Sequence, residues 1–290
     1  MHHDKTLGNR IFDIVNALLL ILIAAVCVLP FVYVLAVSFT SPAEVAKGGL
    51  ILWPKEWSLA SYRYIFSTDT LFRSMLVSIY ITVVGTIINL FFTSLMAYPL
   101  AKTRLRGRQL ILLGVLFTML FGGGMIPTYF VVKGLHLTNS LWSLMIPGAI
   151  SAFNLIVLKN FFQQIPDGLE DSGRIDGCTD VGVLFRIVLP LSLPAMATFG
   201  LFYAVGHWNQ FFNAILYIND SHLYPIQVLL RQIVILSQSS IGDTSIDTTE
   251  IQPLTIRMAV IVFATVPILL VYPFLQKHFA KGVMLGSVKG

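Results

Sequence analysis

Charge is what this 290-residue sequence has least of: Asp, Glu, Lys and Arg together make up 11% of it, against about 25% in a soluble globular domain. With 56% hydrophobic residues, that scarcity excludes an ordinary water-soluble domain. Cysteine is nearly absent too. Cys27 lies in an apolar run and Cys178 in a polar stretch on the face taken below as cytoplasmic, so a bridge would have to cross most of a bilayer and no disulfide is expected, and two cysteines make no metal site. No G-x-x-x-x-G-K-[S/T] segment is present, and without that phosphate cradle the chain is expected to bind no ATP itself. The apolar runs carry no acid, histidine chain or opposed charge pair such as ion-coupled carriers keep at mid-membrane. Nor do they hold the serine and histidine, paired aspartates or metal-type cluster that intramembrane catalysis needs. The formal charge is +5, yet no basic stripe with interleaved aromatics occurs, so nucleic acid is not an expected partner.

What the sequence does have is long apolar runs: about Ala17–Val37, Met75–Leu100, Leu110–Phe130, Leu141–Leu158, Leu191–Ile218 and Met258–Leu275. Each approaches the roughly 20 residues that span a bilayer. The expectation is an all-α polytopic membrane protein with six transmembrane helices in a single domain over 1–290. Lys5 and Arg10 precede the first run as in a signal peptide, but the run is too long and lacks a small-residue cleavage site, so it reads as a retained span with a kink at Pro30. The two histidines of the MHHDKTLGNR tail read as solvated. Gly122-Gly123-Gly124 and Pro127 either break the third run at depth or mark a helix ending near the outer surface.

Cations sort by side. Lys102, Arg104, Arg106 and Arg108 follow the second run directly. With Lys5, Arg10, Lys159, Arg174, Arg186, Lys277, Lys281 and Lys289 they make twelve on the face taken as cytoplasmic, against seven (Lys47, Lys55, Arg63, Arg73, Lys133, Arg231, Arg257) outside. That asymmetry follows the positive-inside rule and puts both termini in the cytoplasm. The external loops are then 38–72, where Trp53, Trp57 and Tyr62 suit the interface, and 219–255, where Pro225–Leu236 reads as a peripheral helix before a Ser/Thr/Asp loop.

The most polar interior stretch is Asp167 to Pro190, inside a cytoplasmic loop at 159–190. Asp167 and Glu170 have the spacing of an N-cap and its N3 partner. Gly177 can end that helix in the left-handed conformation. Thr179 or Asp180 then caps a second helix, Val181–Leu189, which Pro190 ends or kinks. The expected product is helix, glycine corner, helix: a handle that another protein can push.

This stretch resembles the EAA loop of ATP-binding-cassette importer permeases, written roughly as E-A-A, three residues, G, nine residues, I-x-L-P. Asp171-Ser172-Gly173 stands for E-A-A, with Gly173 costing about 1 kcal/mol against alanine. Asp176-Gly177 supplies the glycine, and Ile187, Leu189 and Pro190 follow at the required distance. The tail from Phe279 to Gly290 is similar to that of the second permease of maltose-type oligosaccharide importers, among them importers of acidic sugars such as alginate fragments. The resemblance implies a type I importer-like permease subunit in the cytoplasmic (inner) membrane. Its partners would be a second homologous permease, two ATPase subunits that hold ATP and Mg, an extracytoplasmic solute-binding protein, an oligosaccharide and the surrounding lipid. It assigns ATPase coupling to Asp171, Ser172, Gly173, Asp176, Gly177, Ile187, Leu189 and Pro190. A sugar offers hydroxyls for amides and ring faces for aromatics, so Tyr203, His207, Trp208, Asn209, Gln210 and Asn213 are the candidate pathway residues. They read more readily still as a polar and aromatic end of a span. Asn89 and Asn154 are expected to satisfy neighbouring helices. The rival reading is a stand-alone ion-coupled carrier or channel.

Overall fold

The computed structural model describes residues 7–239 and 254–287. The histidine-bearing tail, the greater part of the Ser/Thr/Asp loop and Lys289 lie outside the described residues. Among those described, every regular element is helical, and the sole strand-type pairing is an isolated antiparallel bridge between Thr40 and Trp57. The chain divides into two compact units.

One unit holds the described residues up to Asp69 and those from Leu230 to Val266. Its first helix, α1 (Leu7–Ser38), runs unbroken through Pro30. The loop after it carries α2 (Pro42–Ala46) and α3 (Ala60–Ser67). Glu44, nearly buried, accepts the backbone N–H groups of Lys55 and Glu56 at 3.2 and 2.8 Å. Ser38 and Tyr62 share a 2.8 Å hydrogen bond, so Tyr62 is tied into the loop while Trp53 and Trp57 stay exposed.

The other unit, from Thr70 to Leu229 and beyond Pro267, contains the candidate site. It is built on α4 (Asp69–Ala101), the long second span. The third run splits into α5 (Arg108–Leu120) and α6 (Met125–Gly134), which meet at 118° across Phe121–Gly124. Gly124 takes φ +84°, a region closed to most side chains, so the glycine run breaks the helix. The fourth run, expected as one helix over Leu141–Leu158, is corrected. A single 3₁₀ turn at Leu141–Leu144 passes into irregular chain at 145–151, and only then does α7 (Ala152–Phe162) begin. Pro147 followed by Gly148 is the physical reason, since neither supports a helix interior.

Beyond the handle helices α8 (Asp167–Ile175) and α9 (Asp180–Leu191), the chain turns through 86° into α10 (Leu193–Trp208). Pro190 does not end α9; a π-type turn at Leu184–Val188, in which Leu189 N–H donates to Leu184 O, precedes it, and the helix stops at Ser192. The fifth run therefore comprises α10, a break, and α11 (Phe212–Tyr217). The amphipathic α12 (Ile226–Ser239) forms where the sequence predicts a helix, its first N–H held by Ser78 at 2.8 Å. The last helix is α13 (Leu254–Ser287). Among the described residues, three helices are long and apolar enough to cross a membrane, or up to five spans if each bent pair counts once.

Candidate functional site: a charged handle and a buried polar ladder

The handle is fastened from within. Glu170, 1% exposed, receives Lys102 Nζ, Tyr98 OH at 3.3 Å and Arg174 Nη2 at 3.4 Å. Arg174 also bonds Asp171 at 2.9 Å and Asp180 at 3.2 Å, so one guanidinium crosses the glycine corner and ties α8 to α9. Burial opposes its charge, but the bonds to Asp180 and Asp171 outweigh that and raise its pKa further. Arg104 lies 3.8 Å from Asp180, and Lys102 lies 3.8 Å from Asp167. Two of the cations that read as markers of membrane side are therefore structural partners of the handle, a role their clustering alone does not disclose.

The expected capping box is corrected. Pro166 occupies the N-cap position with no side-chain bond, Asp167 is the first helical residue, and Glu170 turns inward to the cations. Reaching back to the helix start would have left Lys102 and Arg174 without their buried counter-ion. The far end agrees with expectation. Gly177 has φ +85°, Cys178 N–H donates to Gly173 O at 2.9 Å, and Gly177 N–H donates to Arg174 O at 3.0 Å. This pair of bonds is a Schellman motif. Thr179 caps α9, its hydroxyl accepting from Gly182 N–H at 3.2 Å.

The coupling residues separate into two sets. Asp171, Ser172, Asp176, Gly177 and Pro190 are exposed. Gly173 is buried where a Cβ would run into Ile187 Cδ1, and Ile187 and Leu189 pack on the core of Leu155, Leu158, Phe162, Val183 and Val188. Gly173 thus trades helix propensity for close contact. Ile175, 86% exposed at the tip, is a bare apolar side chain among these charges.

A second construction lies between α4 and α10. Asn89 and Thr93, one turn apart on α4, face His207 and Tyr203, one turn apart on α10. His207 Nε2 meets Asn89 Oδ1 at 2.7 Å, and Tyr203 OH meets Thr93 Oγ1 at 2.7 Å. Asn89 Nδ2 donates to Gly148 O at 2.7 Å, which leaves its oxygen to accept and makes His207 Nε2 the donor. Tyr203 OH accepts the N–H of Ser151 at 3.2 Å. The ladder thus gives partners to Gly148 O, in the middle of the irregular 145–151 segment, and to the N–H of Ser151 at its end.

The pathway candidates are consequently divided. Tyr203, His207 and Trp208 are buried, and the first two spend their polar atoms inside the chain. Asn209 and Asn213 are exposed, but they do not share a helical face as their spacing suggests, because the helix is interrupted between Trp208 and Phe212. Gln210 sits half-buried in that interruption. Asn89 behaves as a lone amide was expected to; Thr93 and Ser151 carry no local signal that would have marked them.

Comparison with known proteins follows the same elements. A family model described as binding-protein-dependent transport system inner membrane component matches residues 84–285, which include the ladder and the handle. The polygalacturonan/rhamnogalacturonan transport system permease protein YtcP of Bacillus subtilis (strain 168) is 58% identical over 284 residues, 97% of this chain and 99% of that one. Protein LplC of the same organism is 56% identical over 292 residues, 100% of this chain and 98% of its own length. In a crystal structure of a bacterial ABC transporter involved in the import of the acidic polysaccharide alginate, one chain superposes with a TM-score of 0.87 at 31% identity, covering 96% of this chain and 100% of that chain.

Proposed function

The chain belongs to the binding-protein-dependent transport system inner membrane component family, and from that premise we propose that it is a permease subunit of an ATP-driven importer of oligosaccharides derived from acidic polysaccharide. The observation that carries this reading is the handle, a capped double helix whose inner side is pinned by Glu170 and whose outer side offers Asp171, Asp176 and the bare Ile175. Such an element transmits force and has no chemistry of its own. Two ATPase subunits, holding ATP and Mg, dock on this handle and on that of a second, similar permease. Their closure turns the handles and switches the pathway between two states. An extracytoplasmic binding protein delivers the sugar, seated on the segment from Asn219 to Glu250 and the loop after α1. The uronate character of the cargo is supported by the names of the relatives, one a polygalacturonan/rhamnogalacturonan system and one an alginate importer.

In this reading the chain crosses the membrane six times within a single domain, with both termini inside and external loops at 38–72 and 219–255. Crossings one, two and six are α1, α4 and α13. The third is the broken α5–α6 pair, the fourth the irregular 145–151 segment with α7, and the fifth α10 with α11. Asn209, Gln210 and Asn213 line the route, with Tyr203, His207 and Trp208 holding the wall behind them. The decisive experiment is reconstitution. With the second permease, the ATPases and the binding protein, uptake of uronate oligosaccharides into vesicles should require ATP. Ion-gradient-driven uptake by this chain alone would overturn the reading in favour of a secondary carrier.

A further inference from the structure

Beside the handle, at the C-terminal end of α4, is a cleft of about 400 Å³ whose lining changes character across its width. Its floor is apolar, with Leu95 and Pro99 of α4 and Leu184 of α9, while Lys102, Arg104 and Arg106 stand at its rim. Asp180 is the one carboxylate among the lining residues. Lys102 is held by Glu170, and Arg104 reaches Asp180 at 3.8 Å. Arg106 is exposed and forms no ion pair with any described residue. From the floor an apolar strip continues along α4 and α9, where the rings of Phe91 and Phe185 lie 6.4 Å apart and both are more than 40% exposed.

We propose that this cleft is a binding site for one anionic phospholipid, its phosphate at Arg104 and Arg106 and its acyl chains along Leu95, Phe91 and Phe185. The cleft lies where the apolar helix gives way to four cations within residues 102–108, which in the proposed topology is the level at which headgroups sit. A ligand with a phosphate and no chains leaves the strip uncovered. A zwitterionic lipid brings a second charge that the cationic rim repels. Bound there, the lipid bridges α4 to α9, the helix that forms half of the handle, and so makes the handle's seat sensitive to membrane charge.

The test is native mass spectrometry of the full chain in detergent, with phosphatidylglycerol, phosphatidylcholine and glycerol 3-phosphate as probes. Phosphatidylglycerol should be retained at least tenfold better than phosphatidylcholine. Arg106→Ala should weaken that retention about fivefold, and Arg104→Ala with Arg106→Ala about thirtyfold, while Arg106→Lys keeps most of it. Since Arg106 pairs with no described residue, an unchanged melting temperature in lipid-free detergent shows that its variant still folds. Equal retention of the two lipids, unaltered retention in the double variant, or displacement of the lipid by equimolar glycerol 3-phosphate would each overturn the assignment.

Discussion

The handle and the ladder both hold chain that is not a continuous helix, and they do so with opposite chemistry. At the glycine corner the bonds are between full charges: Glu170 and Asp180 against Lys102, Arg174 and Arg104. At the 145–151 break they are between neutral groups, an imidazole, an amide and two hydroxyls. Position explains the choice. In the proposed topology the 145–151 break lies within the bilayer, where a charge costs several kcal/mol, so neutral partners repair it with bonds worth roughly 0.6 kcal/mol each, rising to about 1.7. In the same topology the handle lies at the membrane edge, where water solvates Asp171 and Asp180 while Glu170 is drawn inward, so that removing Glu170 strands the charges shielded with it. Unpinning the handle at Glu170 is therefore costlier than disturbing one rung of the ladder, which suits the proposed lever, whose handle holds its form while the interior rearranges.

The sharpest way to break this contrast is Glu170→Ala. It leaves Lys102 and much of Arg174 charged, shielded and short of a counter-ion, at a cost of about 3–5 kcal/mol, toward the lower end because Arg174 retains Asp171 and Asp180. A large fall in melting temperature of the purified chain is expected, and an unchanged one would mean that the pin is ornamental. Next is Ile175→Ala, at a side chain 86% exposed at the handle's tip. Burial of that side chain on docking is worth about 1.5–3 kcal/mol, so retention of the ATPase subunit in a detergent pulldown should weaken roughly ten- to hundredfold with melting unaffected.

Gly177→Val should come third. Nothing lies within 4 Å of a Cβ there, so the penalty is conformational, about 1–2 kcal/mol for a side chain forced to φ +85°. ATP hydrolysis should then run on without uptake, whereas Gly177→Asn, which tolerates the left-handed region, should keep the two coupled. On the ladder, a double-mutant cycle of Thr93→Val with Tyr203→Phe should return a coupling of only about 0.6–1.7 kcal/mol. A value as large as that at Glu170 would erase the distinction between the two regions.

How far each region can be read from sequence follows the same division. Caps and a left-handed glycine are local signals, and the handle's outline follows from them with an error of one residue at Asp167, while Pro190, taken as an end or kink, falls inside α9. What local signals miss is partnership: Glu170 has the spacing of a capping residue, and only the return of α4 to the same place, 68 residues earlier in the chain, makes it a counter-ion for Lys102. The ladder is harder still, because Thr93 and Tyr203 are 110 residues apart and each is unremarkable within an apolar helix. Hydropathy finds the fourth run yet not its break, since Pro147 and Gly148 hardly disturb an average over the window. The aromatic and amide cluster at 203–213 stands out because it is polar in an apolar run. Polarity of that kind marks structural repair as readily as a ligand path.

The smallest expected effect is at Gly173, where the two regions' logic meets. Alanine there gains about 1 kcal/mol of helix propensity for α8. Its Cβ must displace Ile187 Cδ1, the far end of a side chain that packs against the buried core of α7 and α9. Overpacking typically costs about 1–3 kcal/mol, less when the obstructing atom can turn away. The balance for Gly173→Ala is thus within about 1 kcal/mol of zero, while Gly173→Val, with two further methyl groups and no propensity gain over alanine, should destabilise clearly. Melting temperatures of the two variants decide the matter. If valine is as benign as alanine, the α8–Ile187 contact is loose, and the handle is held by its charges alone.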